Sequence, residues 1–107
     1  MTTVGGWLAS RTPPPPGLLR SRIVVALGAA LEQDVVGTER VCLDAAEQVL
    51  TRLLAEGGAE RSEAADLLAA DALVTYALEF AADTPDQFED NATLAIERFG
   101  RLREARE

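Results

Sequence analysis

The residues of this chain best placed to do chemistry are acidic. Asp44-Ala-Ala-Glu47 and Glu63-Ala-Ala-Asp66 are carboxylate pairs with the same spacing. Residues three apart share one face of a helix, so each pair would turn both carboxylates to one side. Two such pairs on adjacent helices would offer the hard oxygen ligands that hold Mg²⁺ over a triphosphate. A second acidic run, Asp83-Thr-Pro-Asp86 followed by Glu89-Asp90, offers oxygens elsewhere. Other reactive types are scarce: there is no His and no Lys, and Cys42 is the only thiol. A thiol without a His partner lacks its usual activating base. A di-metal carboxylate bundle built on Glu-x-x-His pairs is ruled out for the same reason.

The spacing of the paired acids resembles the motifs of the all-α nucleoside triphosphate pyrophosphohydrolases. The resemblance implies a metal at Asp44, Glu47, Glu63 and Asp66 and Mg²⁺-dependent release of pyrophosphate. It covers about a quarter of the chain. The chain departs from the family pattern in having Asp as the first acid and no Lys to meet phosphate. Asp83 and Asp86 resemble the metal–diphosphate motifs of helical prenyl-transfer enzymes, which need a second such motif and a far larger cavity. Helical geometry weighs against convergence of the two pairs. Asp44 and Glu47 fall on the polar side of their helix with Arg40, Gln48 and Thr51, whereas Glu63 and Asp66 fall with Ala70, Val74 and Ala77. The plain reading is of solvated and helix-start carboxylates, with no cofactor, and the metal site is kept as the alternative.

The element that must organise everything else is 62–83, a helix apolar over most of its circumference, which has to be wrapped by others. Ser62 is its expected N-cap. Asp71, Thr75, Glu79 and Asp83 line one narrow ridge, while Leu67, Ala70, Leu73, Val74, Tyr76, Ala77, Phe80 and Ala81 cover much of the rest. Before it, apolar spacing predicts a helix over 18–33 on Leu19, Ile23, Ala26, Leu27, Ala30 and Leu31, with Gly28 on the far side. A helix over 39–56 follows, with Thr38 as N-cap, Gly57-Gly58 as terminator and Cys42, Ala46, Val49, Leu50 and Leu53 as its stripe. Cys42 lies on that apolar stripe, so a buried core thiol is expected. Thr84-Pro85-Asp86-Gln87 signals the start of a fourth helix. Its stripe of Phe88, Ala92, Ala95, Phe99 and Leu102 is a coiled-coil-like seam. Arginines at its end suit the helix dipole.

Residues 1–17 read as an extended proline-rich arm and 18–107 as the helical domain. Gly5-Gly6 is flexible, and Pro13 to Pro16 form a polyproline rod. Trp7 and Leu8 lie between them, either folded back as a staple or offered to a partner.

At 107 residues the chain makes one domain. A formal charge of −8 and a pI near 4.5 exclude a nucleic-acid binder and an anionic-membrane binder. Its longest apolar run, 23–31, is too short to span a bilayer. Residues 1–10 lack the pattern of a signal peptide, and one Cys fits a reducing compartment, so a cytoplasmic location is expected. The expected fold is all-α, a compact four-helix bundle with a proline-rich N-terminal arm. The expected function is a non-catalytic interaction or scaffold module. A protein partner or a homo-oligomer would be met through Trp7, Leu8, Phe88, Phe99 and Leu102. A subunit of a larger assembly is a further alternative.

Overall fold

Two long helices carry the fold, and shorter pieces close around them. The computed structural model describes residues 2–56, 61–83, 93 and 96–104. In chain order the helices are α1 (Val4–Ala9), α2 (Gly17–Leu27), α3 (Thr38–Glu56) and α4 (Arg61–Ala82). Two 3₁₀ turns, Gly28–Glu32 and Val35–Gly37, join α2 to α3, and residues 96–104 are also helical. The described residues hold one isolated antiparallel bridge, Thr3 to Asp34. The protein is all-α, with a radius of gyration of 13.7 Å, close to the ~13 Å of a compact chain of this size.

α3 and α4 are the elements that local pattern specifies most strongly, and both begin and end within a residue of the expected positions. Thr38 is the first helical residue of α3 rather than its cap. It is fully buried, and its hydroxyl donates to the carbonyl of Val35 at 2.7 Å. Asp34 caps the preceding turn, accepting from the Val36 amide at 3.0 Å. α4 turns Ala69, Ala70, Leu73, Ala77 and Ala81 inward. Such small side chains let α3 and α2 pack close to its backbone. Val41, Cys42, Ala45, Ala46, Val49 and Leu53 of α3 and Ile23 and Leu27 of α2 complete the same core. Phe99 packs half-buried against it.

The continuous helix expected over 18–33 does not form. α2 stops at Leu27, because Gly28 takes φ +53° and ψ −128°. This conformation is cheap only for glycine, so Gly28 redirects the chain instead of sitting on the far side of a longer helix. The terminator Gly57-Gly58, the capping sequence Thr84 to Gln87, and Phe88, Ala92 and Ala95 lie outside the described residues. The four-helix count and the seam through Phe88 therefore stay as expectations.

The start of the chain departs most from an extended arm. Residues 4–9 are helical despite Gly5-Gly6. Thr3 supplies the N-cap, its hydroxyl accepting from the Gly6 amide at 3.1 Å. Main-chain bonds from Val4 to Gln33 at 2.9 Å and from Val35 to Thr2 at 3.0 Å tie this segment to the α2–α3 connection. Gly5 permits the approach, since a β-carbon there would lie 3.2 Å from the carbonyl oxygen of Leu31. Trp7 is buried, edge-on to Tyr76 at 6.3 Å and to Phe80 at 5.4 Å between ring centroids. The Arg11 guanidinium covers the Trp7 ring at 4.1 Å, a cation–π contact. The chain then reaches α2 through Pro13 to Pro16, with a cis Thr12–Pro13 bond.

Replacing Trp7 by Ala is expected to lower stability by about 3–5 kcal/mol, the usual cost of deleting a buried large aromatic, with most helicity retained. Urea melts followed by circular dichroism check this. Native Trp7 emission should be blue-shifted and protected from quenchers; a red-shifted, freely quenched emission would contradict the packing.

Candidate functional site

Each acidic pair predicted from sequence is placed on its expected helix, and both meet arginines. Arg98 bridges the first pair, donating from Nε to Glu47 at 2.5 Å and from Nη2 to Asp44. Hydrogen bonding to Asp44, then to Glu47, pushes the Arg98 pKa up. Asp66 takes two partners, Arg22 of α2 at 3.2 Å and Arg52 of α3 at 3.0 Å. The bond to Asp66 likewise raises the Arg52 pKa, with Glu56 and Glu63 adding smaller attractions. Arg52 also lies 3.7 Å from Glu56 one turn further along.

The pairs occupy different levels of the α3–α4 hairpin. Asp66 is bonded to Arg52, whereas Glu47 and Asp44 sit roughly 8–12 Å further down α3 at 1.5 Å per residue. No group of three or more His, Cys, Asp or Glu side chains among the described residues is arranged to hold a metal ion. Asp66 is largely enclosed and Glu63 half-buried, while Asp44 and Glu47 lie on the side of α3 that meets Arg98. Asp83 is exposed, and Asp86, Glu89 and Asp90 fall outside the described residues.

Cys42 is fully buried, and burial alone pushes its thiol up to about 12. At neutral pH it is a small hydrophobe, not a nucleophile. Burial also raises Tyr76, with Glu79 as a second cause. Tyr76 helps line a cavity of about 90 Å³ with Leu8, Pro14, Pro15, Arg20 and Ile23. That volume is too small for a nucleotide or an isoprenoid diphosphate.

The predicted partner residues divide. Trp7 is part of the interior and Leu8 is half-buried against the core. Phe99 and Leu102 are half-buried, and Phe88 lies outside the described residues. Bare apolar surface lies instead on Leu67, expected within the apolar surface of its helix, and on residues outside the expected stripes. On α2, Leu18 is 68% and Val25 79% exposed, and Val24 is exposed beside them. On α4, Leu67, Leu68 and Leu78 are exposed. The available signal was that α2 carries apolar residues on all sides, a pattern that fits a helix covered all round. No family model, curated protein or solved structure matches the chain. Among the described residues, no helix is long and apolar enough to cross a membrane.

The thiol gives a direct check. Its folded pKa is raised, so its contribution to stability is full below the ordinary value of 9.0 and is lost as pH climbs towards about 12. At pH 8 a chromogenic disulfide reagent should leave native Cys42 unmodified and react promptly in urea. Fast reaction of the native protein would place the thiol at the surface.

Proposed function

We propose that the chain is a small, non-catalytic interaction module that works by self-association. The observation that carries this reading is the pairing of bare apolar surface on α2 and α4 with acidic groups already occupied by arginines. Large apolar side chains set side by side on a small domain favour contact with another protein surface. Three of the four acids that resemble a metal site, Asp44, Glu47 and Asp66, are bonded to guanidinium groups. A metal would have to displace Arg98 from one pair and Arg22 and Arg52 from the other.

Sedimentation over a series from low micromolar to millimolar protein tests self-association. The weight-average mass should rise above the 11.4 kDa of one chain; a constant monomer mass across the series would refute it. Incubation with nucleoside triphosphates and Mg²⁺ or Mn²⁺ should release no pyrophosphate above background. A metal-dependent release abolished by Glu63→Gln would install the enzyme reading instead.

A further inference from the structure

The two bare faces differ in charge, and the difference matches them to each other. Successive side chains turn by about 100° around a helix. On α2 this sets Leu18, Ser21, Val24 and Val25 on one side, all exposed, with Arg20 bordering one edge and Arg22 the other. Residues 1–31 contain three arginines and no Asp or Glu, and at the Arg22 edge the face meets Asp66 of α4. On α4 the exposed side carries Leu67, Leu68 and Leu78 with Asp71, Thr75 and Glu79 among them. Among its described side chains it carries acids and no base.

We propose that the α2 face of one copy docks on the outer α4 face of a second copy. This rests on the self-association reading above and names the two surfaces that make it. Apolar side chains meet apolar side chains, and the exposed Arg20 faces carboxylates of Asp71 and Glu79. Arg22 keeps its own bond to Asp66, which leaves Arg20 as the cation of this face that meets those carboxylates. Pairing α2 with α2 would set arginine against arginine, and pairing α4 with α4 would set acid against acid. Only the mixed pairing removes both repulsions while covering both apolar strips. A basic–apolar face on an otherwise acidic molecule thus selects an acidic–apolar helix, and α4 of another copy is such a helix.

Sedimentation velocity on designed variants tests the pairing. Val25→Asp should weaken association at least tenfold while leaving the melting temperature of the dilute protein unchanged, because Val25 packs on little of its own chain. Arg20→Glu and Asp71→Arg should each weaken association, and higher salt should weaken the parent. The doubly changed chain, Arg20→Glu with Asp71→Arg, should recover most of the loss. An association untouched by Val25→Asp and by the charge changes would overturn the α2–α4 pairing while leaving self-association standing. A protein monomeric at every concentration would remove both. Weakening by Val25→Asp without recovery in the double charge exchange would show that α2 docks on a surface other than α4, and would also overturn the proposal.

Discussion

The alanine face of α4 is the constraint on which the rest of the structure depends. Ala69, Ala70, Ala77 and Ala81 bring neighbouring helices close to its backbone, but each buries little apolar area. Only Leu73 adds bulk at the centre of that face. The missing volume comes from elsewhere: Ile23 and Leu27 from α2, the long stripe of α3, and Val4 and Trp7 from α1. The first residues of the chain are therefore part of the core. Tyr76 and Phe80 mark where the alanine face gives way to rings, and there Trp7 is seated.

Electrostatics follow from the same economy of residue types. All ten positive side chains are arginines, against 18 acids. Arg22 and Arg52 converge on Asp66 and so link α2 and α3 to α4. Arg98 links the C-terminal helical segment to α3 through two carboxylates. These partly exposed bridges are worth about 1 kcal/mol or less each, so they set the register of packed helices more than they hold the domain together. Their larger consequence is functional, since they occupy the carboxylates that most resemble metal ligands.

The long helices were legible in the sequence because pattern and breakers agreed. α3 has a dense apolar stripe, and α4 has helix-forming residues throughout with an acidic first turn. Buried Cys42 followed from its position on the α3 stripe. α1 was not legible: VGGWLA has poor helix propensity, and its helix depends on the Thr3 cap and on bonds to Gln33 and Val35 some thirty residues away. The stop at Gly28 was missed because apolar spacing continues through Ala30 and Leu31 while the backbone does not. The partners of Asp44, Glu47 and Asp66 are set by tertiary packing. Arg98 lies 51 residues from Glu47 and 54 from Asp44, and no local spacing encodes such a pair. The expectation that arginines near the C-terminus serve the helix dipole gave way, at Arg98, to stronger bonds with carboxylates.

Besides the exposed Val36 and Ile96, the surface carries a basic–apolar strip on α2 and an acidic–apolar one on α4, and the functional account stands or falls with these two strips. Methyl resonances followed during dilution test it most directly, because Leu18, Val24 and Val25 on α2 and Leu67, Leu68 and Leu78 on α4 all carry methyl groups. The account predicts that these six shift together with protein concentration while the core methyls of Leu73, Val49 and Ile23 stay fixed. Concentration-independent spectra, or shifts confined to other surfaces such as Ile96 and Leu102, would contradict it.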